Sequence, residues 1–242
     1  MSLKPAKGNM YHFIDSVWSP LKGECQHDCS YCYEKKIAHR WGRKLGTLRL
    51  DNKTLMDNLG EGNTIFVCHT NDMFADNVSC GWIYDIIVRC NNYSKNTYLF
   101  QSKNPENMYQ HIGGWLARKE NPHIFCTTVE TDKLDVYAGH SKAPAPLDRL
   151  FWIAKIKRDF PQVKTSITVE PVMKFSDIFA DSIIQAKPDM VAIGADSKNC
   201  HLPEPTAEEI RSLIAKLYAK KVKVYIKGNL KRLVPETREG WL

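Results

Sequence analysis

Seven short apolar runs, each closed by polar residues and separated by helical patterns, restrict this chain to very few folds. The runs are YHFIDSV (11–17), TIFVCHT (64–70), TYLFQSK (97–103), HIFCTTVE (123–130), TSITVEP (165–171), MVAIGAD (190–196) and KVYIKG (223–228). Each is rich in β-branched or aromatic residues and bounded by polar, Gly or Pro positions, as strands are. TIFV and MVAIG are apolar without alternation, the pattern of a parallel strand covered on both faces. Helical periodicity fills the intervals at 80–93, 104–116, 146–160, 176–187 and 206–221. Asn104 is placed to cap the second of these, with Pro105 at its first position. Thr206 and Glu209 have the spacing of a capping box. Repeated βα units predict parallel strands with right-handed crossovers. The expected fold class is α/β, a partial (β/α)6 TIM-like barrel, with a doubly wound open sheet as the alternative.

The chain has 242 residues, enough for one large domain. We expect a single domain over 1–242, with 1–10 flexible and 229–242 a C-terminal extension. No apolar run of 18 residues occurs, so no membrane partner is expected, and the opening MSLKPAKGNMYHF lacks a signal peptide's apolar core. A reducing cytoplasm is the expected location. The eight cysteines then read as thiols or metal ligands rather than disulfides. A net charge of +7 permits an anionic substrate without requiring one.

In either architecture the working end is the C-terminal end of the strands. Polar residues gather there: His69, Thr70, Asn71 and Asp72; Gln101, Ser102 and Lys103; Thr127, Thr128 and Glu130; Thr168 and Glu170; Asp196 and Ser197; Lys227.

GECQHDCSYCYEKK (23–36) places Cys25, Cys29 and Cys32 in one loop. A structural zinc site takes four protein ligands, and His27 could be the fourth. A 4Fe–4S cluster on three thiolates would leave one iron open to substrate or cofactor.

CQHDCSYC, with Tyr31 before the last cysteine, resembles the CxxxCxxC motif of the radical S-adenosylmethionine (SAM) superfamily. The pieces VWSPLKGECQHDCSYCY, IFVCHTNDMF, LFQSKNPENM, TTVETD, SITVEPV, VAIGADS and YIKGN are similar, more narrowly, to a phage-associated radical SAM family of poorly defined function. That family tends to carry Gly-Gly-Glu-Ser where this chain has Gly194, Ala195, Asp196 and Ser197, which leaves the contact there in doubt.

The resemblance implies that Cys25, Cys29 and Cys32 hold a 4Fe–4S cluster and that SAM chelates its open iron. Reductive cleavage of SAM would then give a 5′-deoxyadenosyl radical that abstracts a hydrogen from the substrate. An external one-electron reductant of flavodoxin or ferredoxin type is implied, in the host cytoplasm if the chain is phage-encoded. Thr70, Asn71 and Asp72 are candidates for the SAM amino group, Ser102 and Lys103 for its carboxylate, and Glu130, beside Thr128, for its ribose diol. Tyr31 and Tyr33 either shield the cluster or touch the adenine, with simple packing as the plain reading. The plain readings are a helix cap at Asn71 or Asp72, an exposed Lys103 and a buried ion pair at Glu130.

Glu170, Asp196 and Lys227 either line the substrate cavity or form a structural ion network, and Cys200 is a candidate hydrogen donor at the mouth. The segment 33–50 interleaves Lys35, Lys36, Arg40, Arg43, Lys44 and Arg49 with Trp41, either a solvated helix face or a grip for a phosphate backbone. Three functions stay open: a radical SAM enzyme on a nucleotide or modified DNA base, the same chemistry on a peptide or small metabolite, and a non-enzymatic zinc-binding protein.

Overall fold

The structure, a computed structural model, describes residues 3–111, 113 and 123–242. Its elements run β1 (Lys4–Pro5), β2 (Ser16–Trp18), β3 (Leu21–Lys22), α1 (Tyr33–Arg40), β4 (Arg49–Leu50), α2 (Asn52–Leu55), β5 (Thr64–Val67), α3 (Cys80–Asn92), β6 (Thr97–Ser102), α4 (Pro105–His111), β7 (His123–Thr128), α5 (Leu134–Tyr137), α6 (Pro146–Asp159), β8 (Lys164–Val169), α7 (Phe179–Gln185), β9 (Met190–Ile193), α8 (Ala207–Ala219), β10 (Lys223–Ile226) and β11 (Gly240–Trp241). The helix expected over 104–116 extends past the described residues at 112 and 114–116. Among the described residues, no helix is long and apolar enough to cross a membrane.

Strands β2, β5, β6, β7, β8, β9 and β10 are parallel neighbours in chain order. The two-residue strands β1 and β11 add antiparallel edges. Side chains alternate along the parallel strands as the pleat requires. Ile65, Val67, Tyr98, Phe100, Phe125, Val191, Ile193, Val224 and Ile226 share one core with the helical residues Ile83, Ile87, Leu150, Ile153, Ile183 and Leu213. Phe66, Leu99, Ile124, Cys126, Ala192 and Tyr225 face the other way and form a second, inner cluster.

Tyr11 shows that the sheet curls. Its ring lies 6.5 Å from that of Phe66 on β5 and 6.0 Å from that of Tyr225 on β10. Its hydroxyl lies 2.6 Å from Thr168 Oγ1 on β8 and donates to Gln101 Oε1 on β6 at 3.1 Å. One side chain can touch four strands only if the sheet wraps around it. The strand expected over 11–17 is therefore shorter, Ser16–Trp18. Tyr11 and Ile14 are buried within the curl, and the Phe13 ring stacks on Trp241 at 5.7 Å. Burial of these rings overrides the strand-like composition of YHFID. The first described residues are tied down as well: β1 pairs with β2, and the Ala6 amide donates to Asp15 O at 3.0 Å.

The helix starts follow local chemistry. Asn104 Oδ1 accepts the Asn107 amide at 3.3 Å at the head of α4. Thr206 and Glu209 close a reciprocal capping box on α8.

Candidate active site

Gly23 opens the three-cysteine loop with φ +107°, and a Cβ there would lie 2.3 Å from Thr47 O, so no other residue fits. Within the loop, the Asp28 amide donates a hydrogen bond to Cys25 O and the Cys32 amide one to Cys29 O, making successive turns. Outside contacts fix it: the Ser30 amide donates to His140 O at 2.8 Å and the Lys142 amide to His27 O at 2.7 Å. Cys29 is buried, with Sγ 3.1 Å from Ser141 Oγ, while Cys25 and Cys32 are half-buried. Cys32 is the N-cap of α1, so the loop runs straight into that helix.

His27 binds this loop to the strand ends. Its Nε2 lies 2.8 Å from Asp72 Oδ2, and both residues are buried. Asp72 Oδ2 also accepts Ser102 Oγ at 3.0 Å and the Lys103 amide at 2.7 Å, and Oδ1 accepts the Phe74 amide at 3.0 Å. Burial alone would raise the Asp72 carboxyl; His27 and the two amides outweigh it and hold it below the ordinary carboxylate range. Asn71 Nδ2 donates to Gly23 O at 2.9 Å, and half-buried Thr70 lies in the same turn. The turn after β5, the end of β6 and the cysteine loop are thus one hydrogen-bonded unit.

A second unit centres on Glu130, which is fully buried. Arg149 Nη1 donates to its Oε2 at 2.9 Å, Tyr31 OH donates to its Oε1 at 2.6 Å, and Lys103 Nζ also reaches Oε1. Lys103 Nζ stands 4.9 Å over the Tyr31 ring. Burial would raise the Glu130 carboxyl, but Arg149, Lys103 and Tyr31 more than offset it and hold it at about 2. Both carboxylate oxygens therefore carry protein donors. Arg149 also donates to Thr128 O at 2.6 Å, while Thr128 Oγ1 accepts from Gln101 Nε2 at 3.0 Å. Buried Arg149 Nη2 has no hydrogen-bond partner among the described residues.

A third unit joins β8 and β10. Lys227 Nζ lies 2.5 Å from Glu170 Oε2, and Asn9 and Asn229 donate to Glu170 Oε1 at 2.7 and 2.8 Å. Gly194 sits against them; a Cβ there would lie 2.7 Å from Glu170 Oε1. Asp196 instead caps its own loop, accepting the Lys198 amide at 2.9 Å and the Cys200 amide. Cys200 is half-buried, and burial followed by Asp196 raises its thiol above the ordinary value.

Of the sequence candidates, the structure joins Asp72, Ser102 and Lys103 to the cysteine loop, and Tyr31 and Lys103 to Glu130. Glu170 and Lys227 pair with each other, whereas Asp196 and Cys200 are not joined to either. Sequence reasoning weighed His27 only as a fourth zinc ligand, not as the partner of Asp72, and passed over Arg149. The signal for Arg149 was a charge on a buried stripe, since Pro146, Arg149, Leu150, Ile153 and Ile156 share one face of α6.

The donor set fits an iron–sulfur cluster. A cubane takes one thiolate per iron. Among the described residues no three Cys, His, Asp or Glu side chains converge on a single ion, and a cubane does not ask them to. His27, the candidate fourth zinc ligand, is engaged with Asp72. Burial, then the charge of Asp72, push the Cys25 thiol up to about 12.

The fold defines the chain as an α/β partial barrel whose seven central strands run parallel in chain order. Among the solved structures it resembles are several of spore photoproduct lyase. One mutant, with bound AdoMet and dinucleoside spore photoproduct, is 12% identical with a TM-score of 0.52 over 89% of this chain and 65% of that chain, under two thirds of its length. A second mutant matches at 12% identity and TM-score 0.61 over 92% and 79% of the two chains, and a third at 12% and 0.57 over 97% and 79%. At this identity the likeness is one of fold. No family model and no curated protein matches the chain.

Proposed function

We propose that the chain is a radical SAM enzyme acting on a nucleotide or a DNA base. The observation that carries this reading is the position of the three-cysteine loop, bonded through His27 and Asn71 to the turn after β5 at the C-terminal ends of the parallel strands. Its support is the fold shared with spore photoproduct lyase, solved with bound AdoMet and a dinucleoside spore photoproduct. Cys25, Cys29 and Cys32 would hold a 4Fe–4S cluster, which when bound and reduced would supply the electron for reductive cleavage of SAM and so the radical chemistry of hydrogen abstraction.

The chain's own residues do the positioning. Lys103, set by Glu130 and Tyr31, offers a fixed cation for the SAM carboxylate. Thr70 and Asn71 offer acceptors for its amino group. Glu130, charged and buried, holds Lys103 and Tyr31 in place and would be the carboxylate offered to the ribose diol. Glu170 and Lys227, paired with each other, line the substrate space in this reading, and Cys200 is the candidate donor that returns a hydrogen. The electron comes from a flavodoxin- or ferredoxin-type partner in a reducing cytoplasm. A phage-type base-modification pathway is the narrower reading, supported by the sequence resemblance.

Anaerobic purification followed by iron and sulfide analysis tests the core of this reading. About four irons per chain and release of 5′-deoxyadenosine on addition of dithionite and SAM are expected. One zinc per chain, with no SAM cleavage after cluster reconstitution, would overturn it.

A further inference from the structure

We infer that the exposed tip of α1, residues 39–44, is a binding surface for an unpaired nucleic-acid strand; this rests on the proposed nucleotide or DNA substrate. His39, Arg40, Trp41, Gly42, Arg43 and Lys44 are all exposed, a run of six. Ala38 is the buried residue of α1. Trp41 is 72% exposed, more than any other large apolar side chain among the described residues, and its ring makes no aromatic contact there. A tryptophan that contributes nothing to a core offers a flat face to an external partner.

The charges around it are unbalanced. Glu34 pairs with Arg43 at 3.6 Å and Asp28 with Lys35, but Arg40 and Lys44 have no carboxylate partner among the described residues. Lys36 and Arg40 are four apart on the helix, a like-charge spacing that disfavours it in isolation. An ordinary solvated helix face places carboxylates at these spacings. Here an anion from outside would supply the missing charge. Cations beside an open aromatic face are the combination that grips single strands, phosphates on the cations and a base on the ring. A paired duplex keeps its base faces covered, so the aromatic favours an unpaired strand.

The placement suits the proposed site. α1 starts at Cys32, and at 1.5 Å per residue Trp41 stands about 13 Å along the helix from that cysteine. Lys36, on the way, lies near the Cys200 thiol in the loop after β9. A strand lying on the tip would have its neighbouring nucleotides beside the mouth.

The test uses the full chain, purified without air, and a fluorescein-labelled oligothymidylate, with the matching duplex and anionic phosphatidylserine vesicles as competitors. Single-strand affinity should fall steeply between about 50 and 200 mM salt. Trp41→Ala should weaken it about tenfold with the salt slope unchanged, and Trp41→Phe should restore most of the affinity. Arg40→Gln with Lys44→Gln should lower the slope by about 0.7 for each phosphate that is no longer neutralised. Thermal unfolding midpoints confirm that the variants fold. Equal binding by wild type and variants would overturn the inference and leave the substrate class standing. If the wild type cleaves SAM but binds no oligonucleotide, the nucleic-acid reading fails and the inference with it. Binding to the vesicles in preference to the strand would also overturn it.

Discussion

His27 Nε2 and Asp72 Oδ2, 45 positions apart in the chain, lie 2.8 Å from each other in a buried pair that fastens the cysteine loop to the turn after β5. Removing the carboxylate strands four buried donors at once: His27, Ser102 Oγ and the amides of Lys103 and Phe74. Asp72→Ala should therefore cost about 3 kcal/mol of stability and lower the iron bound per chain. Urea unfolding and iron analysis check the two effects. Retention of full iron content would show that the loop holds its shape without this anchor.

Cys25→Ala, Cys29→Ala and Cys32→Ala should each abolish SAM cleavage and the visible absorption of the reconstituted protein. The Cys200→Ala variant should keep both, because Cys200 lies in a different loop, after β9. If it lost the absorption, the assignment of ligands to the single loop would be wrong.

Glu130 and Arg149 are both fully buried and bonded to each other. Arg149→Met leaves a buried carboxylate short of its main counter-charge and should cost about 3–5 kcal/mol. Glu130→Leu combined with Arg149→Met should recover only part of that stability, since the pair's own desolvation cost is gone but Lys103 and Tyr31 lose their acceptor. A double-mutant cycle on urea midpoints reads the coupling. Recovery of SAM cleavage along with stability would argue that Glu130 serves packing alone.

His123 is buried against the rings of Tyr98, Phe100 and Phe125, and neither ring nitrogen has a partner among the described residues. Burial depresses its pKa from 6.5 to about 4. Between those values the unfolded chain binds the extra proton, so stability falls as pH drops from 6.5 toward 4. Complete loss of this contribution is worth about 3 kcal/mol. His123→Leu should flatten that limb of the stability profile; an unchanged limb would assign it to other groups.

Gly194→Ala should push the new methyl into Glu170 and Asn229, costing about 1–3 kcal/mol. Removing the obstacle with Glu170→Ala should make the double variant less destabilised than the sum of the singles.

The barrel was legible because alternation such as Ile65-Phe66-Val67 satisfies two cores at once, one on each face of a parallel strand. The polar strand ends were legible for a related reason: carboxylates and amines directly after apolar runs have no place in either core. Partner choice was not legible. Lys103 reads as a loop cation, and only the fold brings the end of β6 beside Glu130, 27 positions on. His27 reads as a spectator between two cysteines because its partner lies 45 positions away. YHFID reads as a strand because the curl that buries Tyr11 is a property of the whole sheet. Arg149 is legible in the sequence as a charge that interrupts the buried stripe of α6.

The two-residue strands at the margins of the main sheet bear on how the protein behaves in concentrated solution. A long unpaired strand edge is a template for another chain. Here β1 and β11 cover β2 and β10, and Pro5 in β1 has no amide hydrogen to offer. Each margin thus presents too short a ladder to recruit a second copy. Trimming residues 3–5 or 240–242 would uncover the longer strands beneath, and the first sign should be edge-to-edge aggregation rather than loss of catalysis.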